Sequence, residues 1–120
     1  VKSQQRKKMM EAMSKRMLQD VPKADVVITN PTHIAVALRY DAKEAPAPMV
    51  VAMGVDQVAE KIKEIAREHH IPIRENKALA RALYKQTEVG DIIPADLFQA
   101  VAIILAQIWK TRPPKRNTVS

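Results

Sequence analysis

Asp25-Val26-Val27-Ile28-Thr29-Asn30-Pro31-Thr32-His33-Ile34-Ala35-Val36-Ala37-Leu38-Arg39-Tyr40 sets the architecture of this chain. The runs 24–29 and 33–40 are rich in β-branched and small apolar residues, and each reads as a strand. The apolar residues of the second run alternate imperfectly, which fits a strand covered on both faces. Between them, Asn30 and Pro31 occupy the first and second positions of an ordinary β-turn. Taken alone, Asn30-Pro31-Thr32-His33 is a tight hairpin turn.

Working outward, residues 41–48 read as a loop and Met49 to Met53 as a third strand ending at Gly54. Asp56 is placed to cap a helix over 57–69, with Val58, Ile62, Ile65 and Ala66 as its buried stripe and Lys61, Lys63, Glu64 and Arg67 facing water. Ile71 to Arg74 reads as a short fourth strand, and Pro72 puts it at an edge or a strand start. Strand, helix and strand over 49–74 make a βαβ unit, so strands three and four are expected to be parallel with a right-handed crossover. Asn76 should cap a helix over 77–85 with Leu79, Ala82 and Leu83 inward. Val89-Gly90-Asp91 is a turn, and Pro94 opens a last helix whose Leu97, Val101, Ile104, Leu105 and Ile108 share one face. Upstream, Lys2 to Gln19 lacks Gly and Pro and carries Met9, Met13 and Met17 at helical spacing. The expectation is an α/β domain: a small mixed sheet of about four strands flanked by helices and preceded by an extended linker helix. Its parts are a basic linker helix at 1–23, the domain at 24–110 and a disordered basic tail at 111–120.

With 120 residues, nearly half hydrophobic, the chain suits one domain with a modest core. It has no cysteine, which excludes a disulfide framework and thiolate metal sites. The adjacent His69 and His70 face different sides of a helix without a third ligand at helical spacing, so neither metal nor cofactor is expected. The longest apolar run, 100–106, is far short of a membrane span, and no secretory signal is visible. The opening Val1-Lys2, without a Met, reads as part of something longer, this piece of it soluble. The net charge of +7 suggests a nucleic-acid binder until it is located. Residues 1–23 carry +5 and 110–120 carry +4, whereas 24–109 sum to −2. An acidic centre, few aromatics for base stacking and no domain helix gathering Arg and Lys on one face argue against nucleic acid. The basic ends are solvated arms, or in the case of 1–23 a juxtamembrane helix suited to anionic lipid head groups.

One segment carries chemistry. Asparagine ordinarily deamidates when the next backbone nitrogen attacks its side chain, but the tertiary nitrogen of Pro31 cannot attack. The reverse route stays open: the Asn30 carboxamide nitrogen adds to Asn30's own carbonyl, forms a succinimide and expels Pro31 as an amine. A carboxamide is a feeble nucleophile, so the turn must align it, a contribution of roughly 7–11 kcal/mol in favourable cases. An acid or base adds on the order of 10²–10⁴-fold. His33 is the candidate to polarise the amide or protonate the leaving nitrogen. Thr32 is the candidate to hydrogen-bond the oxyanion through its hydroxyl or backbone N–H.

Asn30-Pro31-Thr32-His33 with Ile34 to Tyr40 resembles the self-cleavage signature of the bacterial type III export switch family. Ala52-Met53-Gly54, Ile71-Pro72-Ile73 with Glu75-Asn76, Leu79 to Tyr84 and Ile93 to Ala102 resemble it too, in order along the chain. Thr87 to Asp91 and Leu97 to Val101 are closer to its flagellar than its injectisome members. The resemblance implies an inner-membrane protein with a membrane-embedded N-terminal half and a cytoplasmic domain like this one. It implies a single-turnover cut between Asn30 and Pro31, with Asn30, Pro31, Thr32 and His33 as the site and the pieces remaining associated. The cut would permit a change of export substrates, and the partners would be export apparatus proteins, exported subunits and a hook- or needle-length control protein. The rival reading is a nucleic-acid-binding or adaptor module in which the segment is only a turn.

Overall fold

Val26–Asn30 (β1) and Ile34–Arg39 (β2) pair antiparallel, with Val26 opposite Leu38 and Asn30 opposite Ile34, in a computed structural model that describes residues 15–112. Met49–Val55 (β3) is antiparallel to β2 on its other side, and Ile73–Glu75 (β4) is parallel to β1. The sheet order β3-β2-β1-β4 makes the two strands of the quoted stretch the two inner ones. It also revises the βαβ reading. β3 and β4 do point the same way, but they lie at opposite edges, and β4 docks on β1 rather than on β3. β4 begins at Ile73, two residues later than expected, and it is the edge strand that Pro72 foretold.

The imperfect alternation of β2 has a simple cause, since both faces of the sheet are covered and the two faces take residues of different size. On one face Val26, Ile28, Val36, Leu38 and Val50 meet Leu79, Leu83, Val101, Leu105 and Ile108. These come from helix Lys77–Gln86 (α3) and helix Phe98–Thr111 (α4). On the other face Val27, Ala35, Ala37 and Ala52 meet Ala59, Ile62 and Ala66 of helix Asp56–Glu68 (α2). Alanine on this side lets α2 lie close to the sheet. Gly54 takes the approach furthest: a Cβ there would stand 2.2 Å from Val58 Cγ1.

Several local expectations are met. Asn76 caps α3, its Oδ1 accepting the Leu79 N–H at 3.1 Å. Gly90 sits at φ +97 in the turn between α3 and the strand-like return beside β3. Others change. Asp56 is not a cap: Val55 holds that position, and Asp56 opens α2 itself at φ 51 with its N–H given to the His33 carbonyl. The buried stripe of α2 is Ala59, Ile62, Lys63 and Ala66, with Val58 and Ile65 only partly buried, so Lys63 does not face water. In α3 Ala80 is buried where Ala82 was expected. Pro94 is extended and precedes a 3₁₀ turn, Ala95–Leu97, from which α4 grows. α4 runs through Thr111, so that residue is helix and not tail. α3 also places Lys77, Arg81 and Lys85 at four-residue spacing on its exposed side, a cationic stripe that a reading focused on its apolar face missed.

Residues 15–19 are helical (α1), and a 3₁₀ turn, Val21–Lys23, joins them to β1. Val21 is fully buried, and Met17 and Leu18 pack against the same alanine-rich core as α2. The core therefore draws on residues before 24. The rest of the expected linker helix, with Met9 and Met13, and the tail beyond 112 lie outside the described residues. No helix among the described residues is long and apolar enough to cross a membrane.

Candidate functional site

Asn30, Pro31, Thr32 and His33, the candidate site of the sequence, close the hairpin between the two inner strands. Asn30, the last residue of β1, is 5 % exposed, while Thr32 and His33 project from the surface and Pro31 lies between. The turn is closed by the His33 N–H, which donates to the Asn30 carbonyl at 2.9 Å. That carbonyl belongs to the Asn30–Pro31 bond. A donor already on its oxygen draws electron density from the carbon and stands where charge would gather in a tetrahedral intermediate. Among the described residues the Asn30 carboxamide, the Thr32 hydroxyl and the His33 imidazole take part in no side-chain hydrogen bond. His33 thus reaches Asn30 through its main chain, not through the imidazole for which it was singled out.

Two further carbonyls of the turn are held by α2. His33 O accepts the Asp56 N–H at 3.0 Å, and Pro31 O accepts the Lys63 ammonium at 2.9 Å. Lys63 is 9 % exposed and also pairs with Glu60, one helical turn back. That contact lowers the Glu60 carboxyl's pKa, chiefly through the hydrogen bond from Lys63 and then through the charges of Lys63 and Arg67. Sequence reasoning placed Lys63 in solvent. The signal it missed is slight: a lysine directly after Ile62, at the rim of the apolar stripe, where its aliphatic stem can be buried.

The turn holds three of its carbonyls in place around a buried asparagine and a proline, on a sheet flanked by α2 on one face and by α3 and α4 on the other. Residues 1–108 match a family of bacterial export proteins described as the FlhB HrpN YscU SpaS family. The chain belongs to it. Within the FlhB HrpN YscU SpaS family, the chain is 49 % identical over 112 residues to the flagellar biosynthetic protein FlhB of Bacillus subtilis (strain 168), covering 93 % of this chain and 31 % of that protein. With FlhB of Helicobacter pylori (strain ATCC 700392 / 26695) it shares 52 % over 117 residues, covering 98 % of this chain and 32 % of that one. It thus spans about a third of the length of these relatives.

Solved structures agree on the fold. The cytoplasmic domain of FlhB from Shewanella putrefaciens superposes with a TM-score of 0.81 at 46 % identity, covering 89 % of this chain and 88 % of that one. An asparagine-to-alanine mutant of the EscU C-terminal domain superposes with a TM-score of 0.73 at 36 % identity, covering 76 % and 91 %. In another solved EscU mutant the proline that directly follows that asparagine is replaced. The flagellar domain is the more similar of these, in keeping with the flagellar lean of the sequence.

At the opposite end of β2 from the turn, an apolar groove of about 270 Å³ opens between Tyr40, Ala47, Pro48, Phe98, Leu105 and Trp109. Tyr40 and Trp109 flank it with ring centroids 6.3 Å apart. It is separate from the Asn30 turn, and no pattern in the sequence announced it.

Proposed function

We propose that this chain is the cytoplasmic domain of a bacterial flagellar export protein, and that it cuts its own backbone between Asn30 and Pro31. The observation that carries this reading is the His33 N–H on the carbonyl of a buried asparagine whose next residue is proline. Asn30 Nδ2 adds to the Asn30 carbonyl carbon, and the oxyanion forms where the His33 N–H already points. The bond from that carbon to the Pro31 nitrogen then breaks. One proton leaves Nδ2 and one arrives on the Pro31 nitrogen, leaving a succinimide on residue 30 and a free secondary amine on residue 31. The exposed His33 imidazole serves as donor to the leaving nitrogen, and Thr32 as a second donor to the oxyanion. Each molecule reacts once, and the residues supply the chemistry without a cofactor or metal.

The same topology supports lasting association of the pieces. After scission, residues 1–30 keep β1 between β2 and β4, both of which belong to residues 31–120. Val21, Val26, Val27 and Ile28 are fully buried in that arrangement. At about 1.5–3 kcal/mol for each side chain, an upper estimate, their burial holds the pieces together by roughly 6–12 kcal/mol. The cut thus changes the turn and leaves the ladder in place.

In the whole protein this domain would hang from an inner-membrane part, with residues 1–23 as a basic connector near lipid head groups. Its partners would be other export apparatus proteins, exported subunits and a hook-length control protein, and the cut would license the change from early to late export substrates. The cationic stripe of α3 amounts to three side chains and does not revive a nucleic-acid reading. The test is to size the protein natively and then separate it under denaturing conditions. One native species that resolves into two polypeptides supports both the cut and the association. A single polypeptide reduces Asn30-Pro31-Thr32-His33 to a turn, and two natively separating pieces reject the association.

A further inference from the structure

We propose that Lys63 is a positioning residue for scission of the Asn30–Pro31 bond, acting by holding the Pro31 carbonyl; this rests on the self-cleavage reading above. A lysine 9 % exposed is unusual, because burial costs the ammonium its hydration unless partners replace it. Lys63 has two such partners, the Pro31 carbonyl at 2.9 Å and the Glu60 carboxylate. Packing does not demand it, since Ala59, Ile62 and Ala66 already fill the contact of α2 with the sheet.

What the contact does follows from the dihedrals of the turn. The Pro31 ring fixes its own φ, so ψ is the freedom left at that residue. The Pro31 carbonyl swings with that ψ, and an ammonium hydrogen-bonded to it holds the swing. Beyond it lie Thr32 and the His33 N–H, which has to stay on the Asn30 oxygen. Pinning Pro31 O therefore keeps the oxyanion donor aligned with the reacting carbonyl. It also places a positive charge one peptide away from where negative charge develops. The grip on the turn is firm because α2 touches it twice, through the Asp56 N–H at its start and through Lys63 two turns further on. Gly54 lets the start of α2 approach β3 closely.

The chain contains no cysteine, so the role can be removed and restored chemically. Lys63→Cys is made in the full chain, and the rate of scission is followed from a pulse of cell-free synthesis beside the unmodified protein. The rate is expected to fall about 10–100-fold, the scale of a misplaced reacting group. Uncut Lys63→Cys protein is then unfolded, aminoethylated at sulfur and refolded, which returns an ammonium to nearly the original position. Recovery of most of the rate is expected, with no recovery after carbamidomethylation, which adds similar bulk without the charge. Scission of Lys63→Cys at the unmodified rate would overturn the assignment while leaving self-cleavage intact. Equal rates after the two alkylations would also overturn it, reducing Lys63 to a packing element. Absence of scission in the unmodified chain would instead defeat the reading on which it rests.

Discussion

Two turns in this molecule share a hydrogen bond and little else. In one, the His33 N–H donates to Asn30 O; in the other, the Asp91 N–H donates to Glu88 O at 3.0 Å. The Glu88–Asp91 turn is closed by local means. Gly90 takes up a positive φ, and Asp91 Oδ2 accepts the Glu88 N–H at 2.9 Å. Its only task is to bring the chain back beside β3, where Gly90 and Asp91 bond to Val50. The Asn30–His33 turn has no glycine and a buried first residue, and two of its carbonyls are held by a helix 23 to 32 residues away in sequence. The Glu88–Asp91 turn takes its closure from its own glycine and aspartate, and its bonds outside the turn run to Val50 of the adjacent β3. The Asn30–His33 turn, whose carbonyl the proposed cut would attack, is gripped instead by a helix packed on the face of the sheet, through a lysine side chain as well as a backbone N–H.

The sharpest way to break this contrast is through α2. Gly54→Ala would drive a Cβ into the Val58 side chain and lift the start of the helix that holds the Asn30 turn. A loss of about 1–3 kcal/mol in denaturant unfolding is expected, as for overpacking elsewhere. Slower scission should accompany it, and unchanged stability and rate would mean that α2 does not need its close approach. Gly90→Ala places a side chain at φ +97 and should cost about 1–2 kcal/mol, the scale of a left-handed residue other than glycine. Because the bonds of this turn run within it and to Val50 rather than to α2, the rate of scission should stay the same; a slower cut would erase the distinction between the two turns. The smallest effect concerns Glu60, whose folded carboxyl is lowered by Lys63. A lowered pKa gives a stabilisation that is present above the ordinary carboxylate range and lost as the pH falls through the lowered value. Thermal melts on acidification should show a slight loss that Glu60→Gln lacks, and identical pH profiles would show that the pair contributes nothing.

The contrast also separates what the sequence could reveal from what it could not. β1, β2 and the turn between them were legible because β-branched runs flank an Asn-Pro pair, and Asn76 was legible as a cap because capping is local chemistry. The docking of β4 on β1 was not, since parallel pairing across a crossover leaves no mark in either strand. Asp56 was misread for a related reason. Its position suggests a cap, but its N–H is engaged by His33, a residue 23 positions earlier. Lys63 was assigned to solvent because helical periodicity sorts residues by face and says nothing of an acceptor brought in by another strand. At the candidate site, Asn30 and Pro31 stand out by their own chemistry, the basis of the proposed cut. The donor on the Asn30 carbonyl, the grip of α2 and the apolar groove depend on tertiary placement.

The most direct measurement is the intact mass of the denatured chain beside that of Asn30→Ala, which has no carboxamide to attack. The account predicts two polypeptides for the unaltered chain, one ending at Asn30 and one beginning at Pro31, and a single full-length mass for the variant. A single full-length mass for both after prolonged incubation would contradict it.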